Sequence, residues 1–403
     1  MEEWKEYKLG EICTKIGSGA TPKGGKEAYL GGDTSLIRSQ NVLDFSFSWD
    51  GLAYIDDEQA TKLNGVKIAK GDVLLNITGD SVARACIVPE SALPARVNQH
   101  VSIIRGDTSL VLNDYIMYFL QYKKTYLLSL SQGGATRNAL TKGMIEDLAI
   151  PLPPLSKQKE IVRVLKNLDD KIEVNRRIND NLEQQAQALF RSWFVDFEPF
   201  RDQLFVESEL GMIPQDWRVE SLSSIADYIN GLAMQKYRPT ENETSLPVLK
   251  IKELGQGCCD DNSELCSPSL IGEKYIIDDG DIIFSWSGTL MVKIWCGGKC
   301  GLNQHLFVVK PYDVPKWFAY QWTKHHLDNF IQIAKDKAVT MGHIKRGELD
   351  KAKVLIPNKD NLVKISSLMI PIYRQIISHE IESRRLASIR DTLLPRLISG
   401  MLT

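Results

Sequence analysis

Two copies of one pattern run through this chain of 403 residues, and the repetition constrains the fold more than any other feature. Trp4, Leu9 and Ile12 recur as Trp217, Leu222 and Ile225. Gly71-Asp72-Val73-Leu74-Leu75 followed by Gly79 recurs as Gly280-Asp281-Ile282-Ile283-Phe284 followed by Gly288. Asn98-Gln99-His100 recurs as Asn303-Gln304-His305, and Ile150-Pro151 as Ile356-Pro357. Order is kept and the spacing drifts by only a few residues, as loop insertions produce. In each copy short apolar runs alternate with Gly, Asn, Asp and Ser. Residues 73–77 and 282–284 read as buried strands, and residues 101–104 and 306–309 as further strands after each Asn-Gln-His triplet. The spacing predicts amphipathic helices over 115–130 and 317–333. Each copy is therefore an α+β unit of ordinary domain size.

A long helix follows each copy. Pro151-Leu152-Pro153-Pro154 marks the first junction, since consecutive prolines cannot continue a helix. Beyond it the apolar positions step by four and three through Ile161, Leu165, Leu168, Ile172, Asn175, Asn179, Leu182, Ala186, Leu189 and Trp193, a heptad seam. A second seam runs through Ile365, Met369, Ile372, Ile376, His379, Ser383, Leu386, Arg390, Leu393 and Leu397. Pro371 lies inside it, so that helix either kinks or starts there. Two seams in one chain predict an antiparallel coiled coil, which sets Asn175 near Ser383 and Asn179 near His379. Such a polar layer costs stability and fixes register; exposed positions on an imperfect heptad are the competing reading. The expected fold class is α+β: two similar α/β-mixed domains, separated and joined by two long helices in an antiparallel coiled coil, with a pseudo-two-fold relation. The expected boundaries are 1–154 and 201–357 for the domains, and 155–200 and 358–403 for the helical spacers. A helix over 156–193 would be about 57 Å long at ~1.5 Å per residue. It would act as a ruler between two related readers. Duplex DNA, whose groove positions recur every ~34–36 Å, is the polymer such a ruler suits.

Charge gives this reading no help. The chain holds 49 Lys+Arg against 51 Asp+Glu, so any nucleic-acid contact must rest on local clusters. No apolar run reaches the ~18 residues of a membrane span, and no membrane partner is expected. Seven cysteines behind a polar, acidic N-terminus without an export signal read as reduced thiols in the cytoplasm. Catalytic motifs are missing. The Asn/Asp-Pro-Pro-Tyr/Phe motif that holds a flipped adenine is absent. The stretch from Gly19 to Glu27 imitates a phosphate loop, but Gly25 stands where Lys is needed and no Ser or Thr follows Lys26. Cys258, Cys259, Cys266, Cys296 and Cys300 do not form two clean CxxC pairs, so ordinary thiols are expected rather than zinc. The Asn-Gln-His triplets suggest a conformational role or a polar tip reaching a ligand.

Several segments carry a closer likeness. They are Ile150-Pro151-Leu152-Pro153-Pro154-Leu155 leading to Gln158, the run from Ala188 to Phe200 (Ala-Leu-Phe-Arg-Ser-Trp-Phe-Val-Asp-Phe-Glu-Pro-Phe), the run Gly211-Met212-Ile213-Pro214-Gln215-Asp216-Trp217, and the segment from Leu386 through Arg390-Asp391-Thr392-Leu393-Leu394-Pro395-Arg396-Leu397-Ile398-Ser399-Gly400. In these the chain resembles the specificity subunit of type I restriction–modification enzymes over nearly its whole length. It departs from that pattern at Ile356-Pro357-Asn358-Lys359, where the first junction has Ile-Pro-Leu-Pro. The resemblance implies a subunit that selects a DNA sequence, does no chemistry and binds no cofactor. Its implied partners are double-stranded DNA, two modification (methyltransferase) subunits using S-adenosylmethionine, and restriction (translocase/endonuclease) subunits using ATP and Mg²⁺. A self-contained methyltransferase or nuclease, and a coiled-coil adaptor that binds proteins without DNA sequence preference, are the alternatives.

Arginine and lysine suit phosphates, Arg suits guanine, and Asn and Gln suit adenine. On those grounds the candidate DNA contacts in the first copy are Thr21, Lys23 and Lys26; Arg38, Gln40 and Asn41; Ser81 and Arg84; and Arg137, Asn138 and Lys142. In the second copy they are Gln235, Lys236 and Arg238; Lys250 and Lys252; Thr289 and Lys293; and the cluster Lys335, Lys337, His343, Lys345 and Arg346.

Overall fold

A computed structural model describes residues 4–22, 24, 28, 29, 31–132, 139–336 and 343–401. The chain divides into two compact units, residues 1–171 with 386–403, and residues 172–385.

In the first unit an antiparallel sheet runs in the spatial order Cys13–Ser18, Val101–Gly106, Val73–Asn76, Ala85–Ile87. A second sheet sets Thr34–Ile37 between Ala53–Ile55, antiparallel, and Ala95–Val97, parallel. Lys5–Lys8 pairs with Ala149–Leu152. The continuous apolar run at Val73 reflects burial on both faces. Val73 and Leu75 enter one core with Leu9, Tyr115 and Phe119, whereas Leu74 enters another with Ile37, Val97 and Ile103.

The second unit has the same plan. Ala226–Asn230, Leu306–Pro311, Ile282–Ser285 and Met291–Ile294 form its antiparallel sheet. The smaller sheet again joins one parallel pair, Leu246–Leu249 with Cys300–Leu302. Arg218–Ser221 pairs with Lys353–Ile356 as Lys5–Lys8 does with its partner. Ile282 and Phe284 face one core and Ile283 the other. The repeated Gly-Asp pair is a turn device. Gly71 and Gly280 take positive φ, and the following aspartate accepts a backbone N–H, from Ala69 at 2.7 Å or Asp278 at 3.2 Å. Each aspartate also pairs with a cation on the neighbouring strand, Asp72 with Arg105 and Asp281 with Lys310, both at 2.7 Å.

Two expectations about helices need correction. The helix expected over 115–130 is two, Asn113–Tyr122 and Lys124–Ser131, and its counterpart is Lys316–His325 and Leu327–Asp336. Lys123 and His326 have ψ near zero, which turns the axis and lets Leu127 and Phe330 reach the cores. The second long helix, Lys359–Ile398, starts before Pro371 and continues past it. Asn358 caps its start, accepting the Asn361 N–H at 2.9 Å. Proline removes one backbone hydrogen bond and crowds the preceding turn, and burial of Ile365, Met369, Tyr373 and Ile376 around it offsets that cost.

The first long helix is Leu155–Phe194. In the first unit its Ile161, Val162 and Leu165 share a core with Leu394 and Ile398. In the second unit the polar layer has the expected antiparallel pairing. Asn175 donates to Ser383 at 3.2 Å and Glu382 at 2.8 Å. Asn179 donates to Glu380 at 3.0 Å, and its Oδ1 lies 3.0 Å from His379 Nδ1. Both asparagines are buried.

Candidate nucleic-acid interface

The Asn-Gln-His triplets fold alike in both units. Asn98 Oδ1 accepts the His100 N–H at 3.1 Å, and Asn303 Oδ1 accepts that of His305 at 3.3 Å. Each imidazole Nδ1 meets a hydroxyl, Thr78 at 2.6 Å or Ser287 at 3.0 Å. Thr78 and Ser287 begin corresponding turns, completed by Gly79 and Gly288 at positive φ. The same frame of triplet, hydroxyl and turn is built twice, and in the first unit it lines a cleft.

In the first unit the cleft is lined by His100, Thr78, Asp80, Ser81 and Arg84, with Ser39 and Gln40 opposite. Asn76 joins the two walls, donating to Ser39 O at 2.9 Å and Val42 O at 3.2 Å. The turn closes tightly, with Asn76 N–H to Arg84 O and Ala83 N–H to Asn76 O, both at 2.9 Å. Ala83 takes the left-handed conformation at φ 68°. Of the expected contacts, Gln40, Ser81 and Arg84 meet here. Arg38 and Asn41 do not. Arg38 Nη2 donates to Gly51 O at 2.6 Å. Asn41 is fully buried, accepting the Arg38 N–H at 3.0 Å and donating to Ser48 O at 3.0 Å. Asn41 thus has no exposed edge for a base, and it shapes the loop that carries Gln40. Thr21 is exposed away from the cleft lining. Lys142 is exposed beside Glu146 at 3.3 Å. Lys23, Lys26, Arg137 and Asn138 lie outside the described residues.

In the second unit a cleft beside the same frame is lined by Asn230, Trp286, Phe307 and His343 to Arg346, with the Trp286 ring 6.2 Å from that of His305. Here the expected cluster at His343, Lys345 and Arg346 converges. Arg346 Nη2 also donates to Tyr228 O at 2.5 Å, which holds its guanidinium. Other expected cations are engaged internally. Arg238 and Lys250 share Glu264, at 3.3 and 2.6 Å, and Lys252 pairs with Asp260 at 3.4 Å. Lys293 donates to Gly255 O at 2.9 Å, and burial lowers its pKa. These cations thus have internal partners, while the side chains of Arg238 and Lys252 stay more than half exposed. Gln235, Lys236, Thr289 and Lys335 are exposed outside the cleft, and Lys337 lies outside the described residues.

Sequence reading missed Thr78, Ser287, Asn230 and Trp286. The available signal was alignment of the two copies, which sets Thr78 against Ser287 and Ile77 against Trp286. In the first cleft the Thr78–His100 pair has an amide and not a carboxylate at the other imidazole nitrogen, with Gln99 Nε2 at 3.3 Å. Cys259 and Cys300 sit together at the edge of an apolar core, where the Cys259 thiol and burial both keep Cys300 protonated. Among the described residues no group of three or more His, Cys, Asp and Glu gathers as metal ligands, and no helix is long and apolar enough to cross a membrane.

The sequence matches the family described as the type I restriction modification DNA specificity domain over residues 1–184 and 214–388. It is 28% identical to the type I restriction enzyme MjaIX specificity subunit of Methanocaldococcus jannaschii, covering 100% of this chain and 94% of that protein. It is 23% identical to the HindI specificity subunit of Haemophilus influenzae, covering 99% and 100%. In fold it is similar to the crystal structure of a type I restriction-modification S subunit from M. genitalium, with a TM-score of 0.52 over 98% of this chain and 96% of that one, at 14% identity.

Proposed function

This chain belongs to the type I restriction–modification DNA-specificity family, matching its domain twice, and on that premise we propose that each match reads one half of an asymmetric, bipartite duplex site. One observation carries the reading: around a single frame of turn, hydroxyl and histidine, the two units open clefts lined by different side chains. Gln40, Ser81 and Arg84 line one cleft; Trp286, Lys345 and Arg346 line the other. A shared frame with different faces is what two related readers of unlike half-sites require, because backbone contacts position a reader and base-edge contacts specify. Residues 1–154 and 201–357 are the proposed readers, and 155–200 and 358–403 the spacers. The helices set the half-site spacing and dock two modification subunits. This chain contributes selection and no catalysis. S-adenosylmethionine belongs to the modification subunits of the proposed complex, and ATP and Mg²⁺ to its restriction subunits.

Deleting one heptad from each seam tests the ruler. Seven residues at ~1.5 Å each remove about 10 Å, or about three base pairs at ~3.4 Å rise. Sequencing of methylated sites in cells carrying the variant should show both half-sites unchanged and their spacing shortened by about that amount. Retention of the original spacing would refute the ruler. Replacing Arg84 or Lys345 by Ala should weaken binding of the assembled complex on every sequence and lower its log–log salt slope by about one. An unaltered slope would remove that residue from the phosphate contacts.

A further inference from the structure

We propose that Trp286 determines specificity in the second half-site by reading a thymine through its C5-methyl group. The inference rests on the proposed reading of bipartite DNA and adds the chemical group recognised. Trp286 occupies the position held in the first copy by Ile77, which is only 8% exposed. The indole is instead half-buried and lines the cleft. Its Nε1–H donates to Asn230 Oδ1 at 3.0 Å, which fixes the ring and occupies its single polar atom. Phe307 lies 5.7 Å away at 31° and His343 at 6.2 Å edge-on, and buried Ile344 completes the floor. Lys345 and Arg346 form the rim.

Asn230 and His343 also line the cleft, but the surface made by Trp286, Phe307 and Ile344 offers no free donor or acceptor and does not itself read the hydrogen-bonding edge of a base. The one apolar group that bases display in the major groove is the thymine methyl. Cations at the rim suit the phosphates on either side. Stacking on an unpaired base would also use an indole, but it adds the cost of unstacking a duplex. The first cleft has no such floor; Arg84, Gln40 and Ser81 offer it polar edges instead.

The test uses the complex of this chain with its modification subunits and the site found by methylation sequencing. Each thymine of the second half-site is replaced in turn by uracil, which removes only the methyl. The wild-type complex should lose about fourfold in affinity at one position, from ~0.8 kcal/mol per buried methyl-sized group. Trp286→Ala should bind thymine and uracil equally there, and Trp286→Phe should restore part of the difference. Substitutions in the first half-site should affect all three proteins alike. The proposal is overturned if the second half-site lacks thymine, if the wild type reads uracil as thymine at every position, or if Trp286→Ala still separates them. It is also overturned if that variant loses affinity for all four bases equally, as stacking predicts. Absence of any motif dependent on this chain would instead sink the bipartite reading itself.

Discussion

Arg390→Ala should cost the first unit about 3–5 kcal/mol, the range for breaking one side of a buried ion pair. Arg390 and Asp169 are 11% and 16% exposed at their side chains and meet at 2.8 Å. The carboxylate also accepts the Tyr118 hydroxyl at 2.6 Å, and the guanidinium lies 3.6 Å from the Phe45 ring centroid. Removing the arginine therefore leaves a charge in an apolar setting and also strips a cation–π contact. Burial already raises the Asp169 pKa, against the opposing pull of Tyr118 and Arg390. Without Arg390 the rise should be larger. A raised carboxylate pKa means that the fold prefers the protonated acid, so stability falls as pH climbs from the unfolded value of ~3.9 through the folded one. The deficit of the variant should thus be greatest at neutral pH and should shrink toward pH 4. Replacing both partners by apolar residues, Asp169→Leu with Arg390→Met, should recover most of the loss. Equilibrium unfolding of the full chain measures all three, with hydrogen exchange near Tyr118 locating the change. A loss under 1 kcal/mol for Arg390→Ala, or one independent of pH, would show that the pair is not the anchor described.

Arg390 also illustrates what the sequence made legible. It stood on the second heptad seam because period alone placed it there, and the same period paired Asn175 with Ser383 and Asn179 with His379. Helical periodicity is a local signal with long reach: once two seams run antiparallel, one matched pair sets the next. Sheet order was not legible, because strand pairing joins residues far apart in the chain; repetition said only that the two copies share one plan. The break at Lys123 had no marker, since neither Gly nor Pro stands there and the turn is set by the core drawing in Leu127. The candidate site was legible by half. Arg84, Lys345 and Arg346 were reachable from charge, whereas Asn41 and Arg38 have suitable chemistry and are used to hold their own loop. Charge and side-chain type say what a residue is able to bind. They do not say whether a carbonyl elsewhere has already bound it. An indole two residues after Ile282-Ile283-Phe284 reads as core from sequence, whereas the half-buried ring lining the cleft and its donor bond to Asn230 distinguish Trp286 in the fold.

A large loss from adding a single carbon should come at Gly231 and at its counterpart Gly19. A Cβ at Gly231 would stand 2.2 Å from Asn303 O and 2.3 Å from Leu302 O; at Gly19 it would stand 2.0 Å from Val97 O and 2.3 Å from Asn98 O. These are backbone atoms, which no rotamer change can move aside. The requirement for glycine here is close approach, not an unusual φ. The same carbonyls take part in the ladder, with Leu232 N–H to Leu302 O at 2.9 Å and Ala20 N–H to Val97 O at 3.1 Å, so relief of the clash must open the strand pair. Overpacking in well-packed sites costs ~1–3 kcal/mol and sometimes more; rigid backbone on the far side argues for about 3 kcal/mol or above. The displaced residues are Asn98 and Asn303 themselves, whose side chains set the histidine turns at each cleft. Gly231→Ala should therefore relax selection in one half-site and Gly19→Ala in the other, beyond what lost stability explains. Gly17→Ala is the control. It lies in the same strand as the approach to Gly19, its Cβ would meet nothing within 4 Å, and its stability should shift by no more than about 0.5 kcal/mol. Unfolding midpoints and methylation profiles of the three variants decide the matter. Should Gly19→Ala match Gly17→Ala in both, the carbonyls under the triplets yield readily, and the triplets are not the rigid frame on which the two readers are built.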